Sequence, residues 1–163
     1  MTAKSKNIIL GIIIAGAIVI ADQLIKNIIV KNLAVNQTIT VIPDFFAISY
    51  RQNPGIAFSM FENMPSYIFA ALTVIVIIAM FIFIRPYFKY RPAAIFSGFI
   101  IGGAFGNLID RLSRFELAIK KHIVVDYLEF SFFPTFNLAD TFICIGVFLL
   151  IIYIVIIEKN NKD

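Results

Sequence analysis

Asn137-Leu138-Ala139-Asp140-Thr141-Phe142-Ile143-Cys144-Ile145-Gly146-Val147-Phe148-Leu149-Leu150-Ile151-Ile152-Tyr153-Ile154-Val155-Ile156-Ile157 decides the class of this fold. From Thr141 onward the run is almost purely apolar, and it approaches the roughly 20 residues that cross a bilayer as a helix. It opens on a carboxylate. An ionisable group at the rim of a hydrocarbon core is costly, so Asp140 is a functional-site candidate by default. A second aspartate, Asp126, lies upstream in Val124-Val125-Asp126-Tyr127-Leu128.

The rest of the chain repeats the apolar pattern. Of 163 residues 60% are hydrophobic and 15% charged, with 18 Phe and no Trp. Mean hydropathy is +0.91, whereas a soluble domain is nearer half apolar. Three further stretches are apolar enough to span: about 8–30, 66–84 and 93–109, with the fourth over about 138–157. Membrane backbone must satisfy its own hydrogen bonds, so each is expected to be a helix. The expectation is an all-α membrane protein forming one integral membrane domain over 1–163, with loops at about 31–65 and 111–137. The first span reads as retained rather than as a cleaved leader, because the apolar pattern resumes at Ile25–Val30 with no small-x-small site before Asp22.

Basic residues set the orientation. Lys4, Lys6, Arg85, Lys89, Arg91, Lys159 and Lys162 crowd the short terminal and middle segments. Lys31, Arg51, Arg111, Arg114, Lys120 and Lys121 are spread over the two long loops. The denser face is read as cytoplasmic, with both termini inside and both long loops outside. The net charge of +4 is thereby explained by topology and does not point to nucleic acid. Thr38–Ile42 and Phe46–Tyr50 are β-prone runs separated by Pro43-Asp44, which predicts a small sheet at the membrane surface.

The unusual polar residues sort to one face. Asp22, Gln23 and Lys26 close the first span, Asn107, Asp110 and Arg111 close the third, and Asn137 and Asp140 open the fourth. Asn53 and Asp126 lie in the outer loops. Asp22 and Lys26 stand at i, i+4, the spacing of a helix-end ion pair, and Asn107 shares a helix face with Asp110 and Arg111. Arg111 taken alone is also explained by snorkelling, and Asn137 by an N-cap role. Gly98, Gly102 and Gly106, with Gly103 and Ala104 beside them, allow another helix to approach the third span closely.

One cysteine (Cys144) cannot form an internal disulfide, and with one histidine (His122) a zinc site is not expected; a Ser–His or Cys–His pair is not expected either, because His122 sits beside Lys120 and Lys121 in a basic loop. Two close carboxylates offer another chemistry: one ionised to activate water, one protonated to assist a scissile amide, with no metal and no cofactor. Asp126 and Asp140 are the best candidates, because Asp22 and Asp110 have Lys26 and Arg111 nearby. Spacing alone does not decide firmly which two of the four aspartates act. A small four-span transporter using rim carboxylates is the alternative. Its usual short loops and mid-membrane acid do not match this chain. A structural role for the charges as interhelical glue is a further rival.

The motifs carry a resemblance. Asp22-Gln23-Leu24-Ile25-Lys26, Asn53-Pro54-Gly55-Ile56-Ala57-Phe58, Gly102-Gly103-Ala104-Phe105-Gly106-Asn107-Leu108-Ile109-Asp110-Arg111, Val124-Val125-Asp126-Tyr127-Leu128 and Phe136-Asn137-Leu138-Ala139-Asp140 occur in this order. The chain resembles bacterial lipoprotein signal peptidase, also called signal peptidase II or prolipoprotein signal peptidase. The resemblance implies four transmembrane helices with a small extracytoplasmic β-cradle and a short amphipathic helix. It implies an aspartic endopeptidase of the bacterial cytoplasmic (inner) membrane that cuts diacylglyceryl-modified prolipoproteins just before the lipidated cysteine. By matching position, Asp126 and Asp140 would be catalytic. Asp22, Lys26, Asn53, Gly55, Asn107, Asp110, Arg111 and Asn137 would bind substrate or order the site. Expected partners are lipid-modified signal peptides, membrane lipid and globomycin-type inhibitors, and a monomer is expected because one chain supplies every residue. The chain departs from the family at Pro54 and Ile56, and in the longer connection Leu112–Ile123.

Overall fold

The computed structural model describes residues 2–55, 66–117 and 120–160. Four long helices form the body: α1 (Ala3–Asn32), α2 (Ser66–Ile84), α3 (Arg91–Ser113) and α4 (Leu138–Asn160). All four are long and apolar enough to cross a membrane. Their outer faces carry Ile12, Ile20, Ile82, Phe83, Phe148 and Val155, all exposed. So continuous an apolar surface on helices of this length suits a lipid environment. Structure extends the sequence-based boundaries at most ends, and Asp110 and Arg111 fall inside α3 rather than after it.

α3 is the central helix, packed against α1, α2 and α4, and its glycines are the reason. A Cβ at Gly102 would come within 2.9 Å of the Ala15 carbonyl oxygen on α1. A Cβ at Gly103 would meet the Ala139 carbonyl of α4, and one at Gly106 would sit 2.6 Å from Asp22 Oδ2. Lipid tails are as apolar as leucine, so close van der Waals approach rather than hydrophobic burial holds such helices together.

Both long loops fold at one end of the bundle. Strands β1 (Thr38–Ile42) and β2 (Phe46–Asn53) form the expected hairpin, with Asp44 at the turn in the left-handed region at φ 55°. After the short pair β3 (Phe115–Glu116) and β4 (Lys121–His122), β5 (Val124–Phe130) and β6 (Phe133–Phe136) complete a four-stranded antiparallel sheet in the order β1-β2-β5-β6. Long-range pairing of β2 with β5 sets Arg51 opposite Asp126 and Asn53 opposite Val124. Beneath the sheet, Tyr50, Ile123, Val125 and Tyr127 pack on Ile29 and Leu33 at the end of α1. The short amphipathic helix implied by the resemblance is not among the described elements, and Ile56, Ala57 and Phe58 lie outside the described residues.

The start of α1 and the end of α4 occupy the opposite end. There a 3-10 turn over Arg85–Lys89 joins α2 to α3. Asn7 Nδ2 donates to the carbonyls of Phe88 and Lys89, each at 3.1 Å, and Tyr87 donates to Glu158 Oε1 at 2.7 Å.

Candidate active site

The N-terminus of α4 is where the polar residues converge. The first amides of a helix have no intrahelical partner, and side chains from elsewhere in the chain supply partners here. Leu138 N donates to the Tyr127 hydroxyl at 3.1 Å, Ala139 N to Asp22 Oδ1 at 3.1 Å, and Asp140 N to Asn137 Oδ1 at 3.0 Å. Asn137 N returns a bond to Asp140 Oδ2 at 3.2 Å. Asn137 and Asp140 thus form a reciprocal cap three residues apart. The N-cap reading of Asn137 holds, and it is half of what the residue does.

Asn137 also joins the two aspartates. Its Nδ2 donates to Asp126 Oδ1 at 2.7 Å and to Asn107 Oδ1 at 3.1 Å. The other oxygen of Asp126 accepts from Asn53 Nδ2 at 2.9 Å. Asp140 Oδ1 accepts from Asn107 Nδ2 at 2.8 Å. Three amide side chains therefore fix both carboxyls. Asn53 is oriented in turn by the Gly55 amide, which donates to Asn53 Oδ1 at 3.0 Å.

β5 places Asp126 by the period-two alternation of a strand. Val125 and Tyr127 point into the apolar cluster on α1, so Asp126 faces the other way. Asp126 is 4% exposed. Burial, and secondarily the charge of Asp140, raise its carboxyl from 3.8 to about 7. Desolvation disfavours the anion, and a second carboxylate adds to it.

Asp22, Lys26 and Asp110 serve a different end. All three are fully buried. Lys26 Nζ lies 2.8 Å from Asp22 Oδ2 and 2.9 Å from Asp110 Oδ2, and it donates to Asn107 Oδ1 at 2.9 Å. Asp22 continues to the α4 amide, and Asp110 Oδ2 accepts from Val125 N at 3.2 Å. This triad ties α1 and α3 to α4 on one side and to β5 on the other.

The sequence sets Arg111 next to Asp110, and the structure gives Asp110 a different cation in direct contact. Asp110 Oδ1 is met by Arg114 Nε at 2.7 Å and by Gln23 Nε2 at 3.0 Å. Arg111 instead lines a cavity of about 260 Å³ with Asn107 and Asp140. There it is attracted by Asp140, Asp126 and Asp110. The helical period explains the swap: i+4 returns to the same face and i+1 does not. Arg114, Gln23 and Tyr127 are the site residues that the sequence reading left without a role. The four-residue spacing of Asp110 and Arg114 was the signal for the first; none marked Tyr127. Phe69, Leu72, Thr73 and Val76 of α2, Ile100 and Ala104 of α3 and Ile143 of α4 complete a mostly apolar wall, in which the Thr73 hydroxyl donates to the Phe69 carbonyl at 2.8 Å.

Comparisons with known proteins show likenesses of sequence and fold over most of the chain. A family model described as signal peptidase (SPase) II matches residues 4–156. The lipoprotein signal peptidase of Halothermothrix orenii is 39% identical over 140 residues, covering 84% of this chain and 89% of that protein. That of Brevibacillus brevis is 35% identical over 153 residues, covering 92% and 97%. Among solved structures, a bacterial membrane enzyme determined by the in meso method superposes with a TM-score of 0.79 at 31% identity, covering 94% of this chain and 92% of its own.

Proposed function

The chain belongs to the signal peptidase II family, and on that premise we propose that it is a membrane aspartic endopeptidase that removes the signal peptide from diacylglyceryl-modified prolipoproteins, cutting just before the lipidated cysteine. Asp126 and Asp140 are the catalytic pair. The observation that carries this reading is Asn137. The Asn137 side chain donates to Asp126 through Nδ2 and accepts from the Asp140 amide through Oδ1, while the Asn137 backbone amide donates to Asp140 Oδ2. Two carboxyls sharing one residue this way are held for joint work.

Charge arithmetic supports one proton on the pair. Lys26 and Arg114 compensate Asp22 and Asp110. Arg111 is the remaining cation of the set and is attracted by Asp140 and Asp126. With a single proton shared by the pair, the buried set is neutral. The proton is assigned to Asp126, whose carboxyl is raised to about 7. Asp140, in the first turn of α4, is the base of the pair. It takes a proton from water as the water oxygen attacks the scissile carbonyl. Asp126 gives its proton to the carbonyl oxygen, and the amine leaves with a proton returned through the pair.

The signal peptide, an apolar rod, enters laterally from lipid, and its apolar stretch rests on Phe69, Leu72 and Val76. The scissile segment must leave its helix first, because helical amides are already hydrogen-bonded. Asn53 at the end of β2, Gly55 just beyond it, and Asn107 and Arg111 on α3 position substrate. The protein sits in the bacterial cytoplasmic membrane as a monomer, with both termini inside, and the site faces outward and is open to globomycin-type inhibitors.

Asp126→Asn and Asp140→Asn, purified in detergent, should each lose cleavage of a lipidated prolipoprotein by at least about a thousandfold while still inserting as four spans. Ordinary turnover by either variant would remove that residue from the pair. A transporter would instead show ion-coupled flux in liposomes.

A further inference from the structure

A groove that shares no lining residue with the Asp140 cavity runs along the membrane-facing side of α1 and α3. Its volume is about 490 Å³. On α1, Ile8, Ile12, Gly16 and Ile20 fall on successive turns of one face, and Lys4 stands one turn before them at i, i+4 from Ile8. On α3 the groove extends from Ala94 to Ile109, about 22 Å at the helical rise. That exceeds half of a hydrocarbon core about 30 Å thick. The Ser97 hydroxyl in its wall is satisfied by the Ala93 carbonyl at 2.6 Å, so the wall offers no free polar group there.

At the terminal end the groove opens into a second cavity of about 560 Å³, and both are lined by Ile8, Phe81 and Phe88. Lys4 and Arg85 line this second cavity. Neither lies within 4.0 Å of a carboxylate among the described residues. Glu158, an acid of that end, accepts a hydrogen bond from Tyr87 instead.

We propose that this continuous site holds one anionic glycerophospholipid, with its phosphate between Lys4 and Arg85 and one acyl chain along the groove. Lipid tails gain little by moving from lipid into an apolar groove. Selectivity must therefore come from the headgroup, and two unpaired cations at the mouth of a chain-shaped groove select negative charge. Gly16 completes the fit. A Cβ there would meet nothing within 4 Å, so that face of α1 is left open to the groove.

The test is native mass spectrometry of the intact protein with phosphatidylglycerol or phosphatidylcholine of identical chains. Wild type should retain phosphatidylglycerol roughly tenfold more tightly, as two basic side chains near an anionic headgroup imply. Lys4→Gln with Arg85→Gln should reduce phosphatidylglycerol to the phosphatidylcholine level. Gly16→Leu, whose Cβ meets nothing within 4 Å and whose side chain extends into the groove, should weaken both lipids while leaving the lipid-free melting curve unchanged. Equal retention of the two lipids by wild type would overturn the proposal, as would a full preference surviving the double substitution. A dimer that disappears with Gly16→Leu would also overturn it, by making a second copy the occupant.

Discussion

Asp126 carries the pH dependence at the scale of single residues. Its carboxyl titrates near 3.8 when unperturbed and at about 7 in the folded protein. Between these values the folded state keeps a proton that the unfolded chain has lost. Its contribution to stability is therefore full below about 3.8 and is lost as pH rises through about 7. Asp126→Asn removes that titration. The difference in melting temperature, variant minus wild type, should grow by several degrees between pH 5 and pH 8; a difference constant with pH would contradict the raised carboxyl. Cleavage by wild type should decline above about pH 7 to 8, as the proton assigned to Asp126 is lost. The sequence marked Asp126 as a candidate by its lack of a nearby cation. Its burial and its amide partners Asn53 and Asn137 come from three separate segments, which no local spacing reports.

Helix ends are the units that build the site at the scale of elements. Asn137→Ala removes the cap of α4 and the amide bridging to Asp126. The lost cap alone costs about 1 kcal/mol. Beyond that, kcat should fall by more than tenfold with KM little changed, because the carboxyls lose their alignment while the apolar cavity remains. A change confined to KM would show that Asn137 serves substrate binding instead. Lys26→Met is a harsher change. It leaves Asp22 and Asp110 buried with one counter-charge removed, and breaking such a pair costs about 3–5 kcal/mol. Denaturation in detergent should show that loss, and adding Asp22→Asn should recover part of it. The Asp22–Lys26 pair was legible as i, i+4 spacing. The role of Lys26 as a bridge to α3 was not, since Asp110 lies far away in sequence.

Orientation is a property of the whole molecule. The sheet gathers both long loops at one end of the helices, and the start of α1 and the end of α4 meet the α2–α3 turn at the other. Lys120 is exposed, close to the β3–β4 pair, and it should react with a membrane-impermeant amine reagent in intact spheroplasts. Labelling of Lys120 only after permeabilisation would reverse the orientation. Hydropathy, basic-residue density and turn chemistry are local signals, so the sequence by itself determined four spans, the β1–β2 hairpin and the gathering of unusual polar residues at one end. Partner choice inside that end is not local. The tertiary structure decided that Arg114 rather than Arg111 neutralises Asp110, that Lys26 joins two carboxylates, and that Asn137 links Asp126 to Asp140. The physical reason is that a buried charge takes whatever counter-charge or amide the packed helices and the β2–β5 pairing bring within about 3 Å, and only the assembled fold sets that geometry.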